Sequence, residues 1–362
     1  MEIYHYAQPT DAMVLDSIVK NKIANGEEIY NLSAGDPISE IPNEFHKAYN
    51  DLLKNPIPHR YGPAGGISDF KKALQEYRHV NVPEENIIVT DGAKVALYLA
   101  LKATIKPGDE VIVFAPCWSS YIELVNMVGG IPILFYKMAM EVDRVITNKT
   151  KAILINNPNN PTGTVYNCGE MNYIIKLCEL NNIWLISDEI YKDIHSDGVI
   201  IPTIGASKYT NCISIDGFSK SYAVTGWRSG YAYSRNTELI QAMTAYQSQM
   251  SGPPNTLTQM IIMNGLSNMT EDYFVDINEQ YEEKKNIVSS ILRLQDKPKG
   301  GFYYFLKTPY DGNVFCQNLL KQCNVALTPG VGYGVRNAAR LSFASVTNKN
   351  LEKACTLIAD YF

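Results

Sequence analysis

A lysine flanked by two serines lies within the stretch DGFSKSYAVTGWRSGY (216–231). The preceding run CISID (212–216) is predicted to be a buried strand, so Lys220 lies at a strand end and faces inward. An amine removed from water has a lowered pKa and acts as a nucleophile that forms Schiff bases. The alternative is a solvated loop lysine with a structural Arg228 nearby, which this stretch by itself favours.

Two earlier predicted strands are also followed by residues suited to a ligand. In TDGAKVAL, Gly92 opens a helix whose N–H groups and dipole attract an anion, and the alternative is a plain helix start capped by Asp91. In APCWSSY, Trp118 lies at the rim of the sheet, where an indole can stack on a planar ligand. By itself, Trp118 is better explained as core filling.

Amide, carboxylate and phenol groups follow the next two strands. In NNPNNPTG (156–163), Asn160 is a candidate donor to a phenolate or carboxylate oxygen, and the alternative is a surface turn. In ISDEIY, Asp188 ends an apolar run, where a carboxylate needs a cation or donor such as a protonated ring nitrogen. Tyr191 is placed to donate to the same ring, and the alternative for Asp188 is a helix cap.

Taken together, these strand ends supply the parts of one site. An amine at Lys220, phosphate ligands at Ser219 and Arg228, and a counter-charge at Asp188 are what a phosphorylated pyridine aldehyde requires. The separate structural explanations would all have to hold at once for the site to be absent.

The elements that must position these residues alternate along the chain from residue 87. Short apolar strands separated by amphipathic helices predict a mostly parallel sheet with helices on both faces and ligands at its carboxyl edge. The predicted strands are 87–90, 110–114, 151–156, 183–187, 212–216 and 229–234.

The C-terminal third has a different pattern. It predicts helices at 237–248, 255–267, 270–294 and 348–361, and a smaller sheet from 300–306, 324–328 and 339–344. We predict a large domain at 41–280, a small domain at 281–362, and an N-terminal segment at 1–40 that packs on the small domain.

Composition restricts the class of protein. The 362 residues carry a net charge of −5 without a basic block, which argues against nucleic acid or a membrane surface as a partner. The 7 cysteines are scattered without a CxxC pair, so neither a disulfide framework nor a zinc or other metal site is expected. With no leader-like or membrane-spanning stretch, the sequence predicts a cytoplasmic protein that acts on small molecules.

The motifs TDGAK, PCWSSY, NNPNNPTG, SDEIY, SKSYAVTGWRSGY and ARLSFA occur in the order typical of a known family. From about LSAGDP (32–37) onward, the chain resembles the class I/II aminotransferases, pyridoxal-phosphate (PLP) enzymes of fold type I, and most of all the aspartate aminotransferase subgroup. The resemblance implies an α/β fold, with a large PLP-binding domain built on a mostly parallel sheet flanked by helices and a smaller α+β domain.

Roles at the cofactor ring follow from the resemblance. It makes Lys220 the lysine of the internal aldimine with PLP and the base that moves the substrate proton. Asp188 pairs with the pyridinium nitrogen, Asn160 and Tyr191 bind the ring's 3-oxygen, and Trp118 stacks on the ring.

The resemblance also assigns the cofactor phosphate. The backbone around Gly92, Ala93 and Lys94, together with Ser219 and Arg228, corresponds to the family's phosphate-binding residues.

Other positions correspond to substrate and subunit contacts. Arg340 matches the arginine that binds the substrate α-carboxylate, beside Gly35, Trp118 and Asn160. Tyr61, in RYGPAGG, matches a tyrosine that reaches the phosphate of the neighbouring subunit in a homodimer.

The predicted activity is ping-pong transamination between an L-amino acid and a 2-oxo acid. A PLP-dependent lyase, cyclase or decarboxylase is the alternative, and a non-catalytic sensor lacks support. No second arginine for a substrate side-chain carboxylate is evident, so aspartate, aromatic, methionine-like and specialised biosynthetic donors all stay open.

Overall fold

The computed structural model describes residues 11–54, 59–270 and 272–361. The first ten residues of the predicted N-terminal segment therefore lie outside the described part. The helices are α1 Asp11–Ala24, α2 Asn43–Leu52, α3 Ser68–Arg78, α4 Ala93–Thr104, α5 Ser120–Met127, α6 Cys168–Asn181, α7 Thr237–Met250, α8 Thr256–Leu266, α9 Asp272–Ile291, α10 Gly312–Cys323 and α11 Asn348–Tyr361. The strands are β1 Tyr30–Asn31, β2 Ile87–Thr90, β3 Glu110–Phe114, β4 Ile131–Phe135, β5 Thr150–Asn156, β6 Trp184–Asp188, β7 Cys212–Gly217, β8 Gly230–Tyr233, β9 Tyr303–Lys307, β10 Val325–Ala326, β11 Thr328–Pro329 and β12 Ala338–Ser342.

Seven strands form the central sheet in the order β2-β8-β7-β6-β5-β3-β4. β8 is antiparallel to both of its neighbours, and the other pairings in this sheet are parallel. The predicted mostly parallel sheet is confirmed. The sequence analysis missed β4, a partly exposed edge strand that contains Pro132, because it lacks the continuous buried pattern of the central strands.

Helices cover both faces of this sheet, as predicted. Alternate residues of one strand point to opposite faces, so Val111 and Val113 of β3 join the core beneath α4, α5 and α7. Ile112, between them, packs in the separate cluster under α6. Burial on both faces explains why these strands are almost wholly apolar.

A smaller antiparallel sheet, β11-β12-β9, and the β1-β10 pair share a core with α9, α10 and α11. The predicted strand 324–328 is divided into β10 and β11 at Leu327, and β9 begins only after the turn at Gly301. α9 and α11 match the predicted helices closely. The domain boundaries at residues 40 and 280 stay predictions.

A buried ionic cluster lies behind the central strands. Arg78 donates from both Nη atoms to Asp193, over 2.6 and 2.8 Å, and its Nη2 lies 3.1 Å from Asp216 Oδ2. Lys192 lies 2.9 Å from the same oxygen, and Arg78 Nε donates to Tyr231 over 2.6 Å. The attraction between these opposite charges offsets the free-energy cost of removing each of them from water.

This cluster joins two segments that follow neighbouring strands. Asp193 is five residues beyond Asp188, and it accepts a 2.7 Å hydrogen bond from Ser221, the residue after Lys220. The cluster therefore holds the segment after β6 against the segment after β7.

Replacing Arg78 with Met is expected to lower the free energy of unfolding by about 3–5 kcal/mol, because the fully buried Asp216 and the largely buried Asp193 lose their shared cation. Chemical denaturation at neutral pH measures this loss. The matched control is Arg144→Met, which breaks a 2.5 Å ion pair whose arginine side chain is 65% exposed. Equal losses in the two variants would contradict a dominant role for burial.

Candidate active site

A cavity of about 320 Å³ opens at the carboxyl edge of the central sheet, beside the smaller sheet. It brings together every predicted site residue except Gly92 and Tyr61. The lining residues are Gly35, Ala93, Lys94, Leu97, Trp118, Tyr121, Asn156, Asn160, Asp188, Ile190, Tyr191, Ser219, Lys220, Thr225, Arg228, Tyr303 and Arg340.

Lys220 extends into this cavity from the segment after β7. Its Nζ donates to the carbonyl oxygen of Gly35 over 2.6 Å. Burial lowers the pKa of the Lys220 ammonium to about 8, although the nearby Asp36 carboxylate acts in the opposite direction. Lys220 is therefore not a solvated loop lysine.

Asp188 ends β6 at the cavity wall and is 3% exposed. Its Oδ2 accepts from the Tyr121 hydroxyl over 2.7 Å, and its Oδ1 accepts from the Ile190 N–H over 3.2 Å. Burial raises the pKa of this carboxyl to about 7. A turn, rather than a helix, follows Asp188, so the alternative of a helix cap is wrong.

Asn160 and Arg340 meet on the side of the cavity that faces the smaller sheet. Asn160 Nδ2 donates to the Tyr191 hydroxyl over 3.4 Å, and Arg340 Nη1 donates to Asn160 Oδ1 over 3.1 Å. Arg340 Nη2 also donates to the carbonyl of Ser33 over 2.5 Å. Asn160 is 5% exposed, so the surface-turn alternative is wrong.

The start of α4 forms the remaining wall. Gly92 is the N-cap with φ +91°, and no side chain caps this end, so the alternative with Asp91 as the cap is wrong. A Cβ at Gly92 would overlap the Arg228 guanidinium. N–H groups at a helix start and a guanidinium together form a site suited to an anion. Ser219 lines the same cavity.

Trp118 is half-buried and lines the cavity, so it does not only fill the core. Its ring packs edge-on against Tyr121, with 5.3 Å between centroids. Lys94 Nζ lies 4.7 Å from the Trp118 ring centroid, on the same wall.

Two tyrosines of the cavity were missed by the sequence analysis. Tyr121 belongs to the PCWSSY motif, three residues after Trp118, and this one-turn spacing was the available signal. Tyr303 was considered only as part of a strand in GGFYYFL, although the alternation of β9 points Tyr303 and Phe305 to the same face.

Tyr61 stands apart from the cavity. Its side chain is 95% exposed in the single chain, next to residues 55–58, which lie outside the described ranges. Between residues 11 and 361, as far as they are described, no set of three His, Cys, Asp or Glu side chains is arranged to hold a metal ion. Within the same residues, every helix is too short or too polar to cross a membrane.

Reductive methylation of the cofactor-free protein with formaldehyde is expected to modify Lys220 with a midpoint near pH 8, because only the neutral amine reacts. Peptide mass spectrometry of protein treated across a pH series gives this midpoint. The change Asp36→Asn should lower it, since the carboxylate favours the ammonium form. A midpoint near 10.5, the ordinary value, would show that Lys220 is solvated.

Comparisons with known proteins agree with this geometry. The profile of the family "Aminotransferase class I and II" matches residues 27–358. The aspartate aminotransferase of Thermotoga maritima is 34% identical, over 96% of this chain and 95% of that protein. The aspartate/prephenate aminotransferase of Thermus thermophilus is 33% identical, over 91% of this chain and 90% of that protein.

Solved structures give the same result. The crystal structure of the Thermotoga maritima aspartate aminotransferase has a TM-score of 0.90 with 31% identity, covering 99% of each chain. The Thermus thermophilus aspartate aminotransferase with maleate has a TM-score of 0.92 with 29% identity, covering 100% of each chain. The chain belongs to the class I and II aminotransferases, which are PLP-dependent enzymes of fold type I.

Proposed function

We propose that this aminotransferase uses PLP to move an amino group between an L-amino acid and a 2-oxo acid by a ping-pong mechanism. Lys220 carries the cofactor and serves as the base. The observation that supports this most strongly is the position of Lys220, which lines the same cavity as the buried carboxyl of Asp188. Burial lowers the pKa of Lys220 to about 8.

The residues present fit the cofactor. Gly92 lacks the Cβ that would overlap Arg228, which leaves the start of α4 open to a phosphate. A cationic ring nitrogen beside Asp188 would favour the ionised carboxylate, which burial by itself disfavours. When bound, PLP supplies an electron sink that allows the α-proton of an amino acid to leave.

Lys220 is suited to move that proton. A pKa of about 8 allows the amine to accept a proton and to return it near neutral pH. Arg340 is suited to hold the substrate α-carboxylate, because a guanidinium binds a carboxylate in a two-point geometry. Its Nε is buried and has no hydrogen-bond partner among the described atoms.

The proposal does not assign the side chain of the amino donor. The relatives named above are called aspartate or aspartate/prephenate aminotransferases, which makes aspartate the first donor to test. Trp118, beside Lys94, lines the cavity, and an aromatic ring there could also pack against an aromatic donor. Aromatic amino acids therefore belong in the same panel.

Titrating the PLP-loaded protein with L-amino acids is expected to convert its visible absorption to that of pyridoxamine phosphate for the accepted donors. Lys220→Ala should lose the original band, whereas Lys176→Ala, at an exposed site, should retain it. Release of ammonia or carbon dioxide with return of the band would assign a lyase or decarboxylase instead.

We also propose that the enzyme is a homodimer in which Tyr61 completes the phosphate site of the neighbouring subunit. The family resemblance and the 95% exposure of Tyr61 in the single chain support this. Burying a tyrosine at such a position requires another surface to cover it.

Mixing Tyr61→Ala and Lys220→Ala subunits after denaturation and refolding is expected to restore activity. A hybrid dimer contains one site with both native residues, whereas each parent dimer contains none. The activity of the mixture is compared with that of each variant refolded separately. If Tyr61 serves its own chain, each hybrid site lacks one of the two residues, and mixing restores nothing.

A further inference from the structure

Tyr303 of β9 lies where three parts of the cavity meet. Its side chain is 1% exposed, and its hydroxyl oxygen lies 2.9 Å from that of Tyr191. The Cζ atom of Arg340 lies 4.5 Å from the centroid of its ring. A Cβ at Gly35 would overlap the Tyr303 hydroxyl, so the glycine leaves room for it.

We propose that Tyr303 is a positioning residue, whose ring orients Arg340 for the substrate carboxylate and whose hydroxyl orients Tyr191 toward the cofactor ring. This inference rests on the proposed function, because it takes those roles for Arg340 and Tyr191.

The ring of Tyr303 supports one face of Arg340. The Tyr333 ring centroid lies 5.1 Å from the same Cζ atom, so the guanidinium packs against two aromatic rings. Its Nη atoms donate to Asn160 and Ser33. A buried cation fixed by rings and hydrogen bonds keeps the same edge directed into the cavity.

The hydroxyl of Tyr303 determines where the Tyr191 proton points. A phenol has one proton, and burial raises the pKa of both hydroxyl groups, so both stay protonated. When Tyr191 donates into the cavity, its oxygen is free to accept from Tyr303, as it accepts from Asn160 Nδ2 at 3.4 Å. Donation by Tyr303 strengthens donation by Tyr191, because hydrogen bonds in a chain polarise each other.

The same strand offers a matched control. Tyr304 is 4% exposed, and its hydroxyl donates to the carbonyl of Lys285 over 2.9 Å, on the opposite face of β9 from the cavity. Tyr304→Phe therefore removes a buried hydrogen bond of the same kind without touching Arg340 or Tyr191.

The first experiment compares Tyr303→Phe with Tyr304→Phe by titrating the visible absorption of the PLP-loaded protein with pH. Without the Tyr303 hydroxyl, the hydrogen bond that Tyr191 donates to the cofactor ring becomes weaker. This bond stabilises the deprotonated form of the PLP chromophore. In Tyr303→Phe the midpoint is thus expected to rise by about half a unit to one unit. Tyr304→Phe should keep the native midpoint, and thermal denaturation of both variants checks that their folds are equally stable.

The second experiment removes the ring. Tyr303→Leu is expected to raise KM for the amino donor about tenfold, because Arg340 loses a cation–π partner, while Tyr303→Phe keeps KM near the native value. If Tyr303→Leu does not fold, the pH titration of Tyr303→Phe decides the inference. Identical pH midpoints for Tyr303→Phe and Tyr304→Phe would overturn it.

Arg340→Lys, measured in parallel, separates this inference from the proposed function. An unchanged KM in Arg340→Lys would mean that Arg340 does not bind the substrate, and the proposed function would lose its carboxylate site. A raised KM in Arg340→Lys together with a native midpoint in Tyr303→Phe would overturn the inference on Tyr303 alone.

Discussion

A sheet buried on both faces places its charged side chains at the ends of its strands, where they leave the apolar core. β6 and β7 carry no charged side chain before Asp188 and Asp216, and each is followed by polar groups that line the cavity. This constraint concentrates Asp188 and Lys220 at one edge of the sheet. It also reduces their contact with water, and burial is the main cause of both shifted pKa values.

The shifts have opposite chemical consequences. Burial makes part of Lys220 a neutral amine near neutral pH, whereas it lets the Asp188 carboxyl hold its proton up to about pH 7, and a nearby cation would favour the ionised carboxylate. The two groups are therefore matched to a ligand that is an electrophile at one end and a base at the other. The ion pairs of Arg78 with Asp193 and Asp216 hold the segments after β6 and β7 in place. The charges in these pairs already neutralise each other.

The smaller sheet completes the site from the other side. β12 contributes Arg340, β9 contributes Tyr303, and the segment after β1 contributes Gly35, whose carbonyl accepts from Lys220. The side of the cavity with Lys220 and Asp188 and the side with Arg340 thus belong to different sheets. Contacts such as Arg340 with Asn160 and Tyr303 with Tyr191 connect them directly.

The sequence by itself determined the parallel sheet, the order of its strands along the chain and most of the cavity residues, because apolar strand runs and the motifs that follow them are local signals. Lys220, Asp188 and Asn160 were predictable for that reason. Tyr303 was not, since its partners Tyr191 and Arg340 are 112 and 37 residues away along the chain, and no local pattern distinguishes it from Tyr304. Only the tertiary structure decided which tyrosine of β9 faces the cavity, because strand register and the packing of one sheet against another depend on contacts between distant segments.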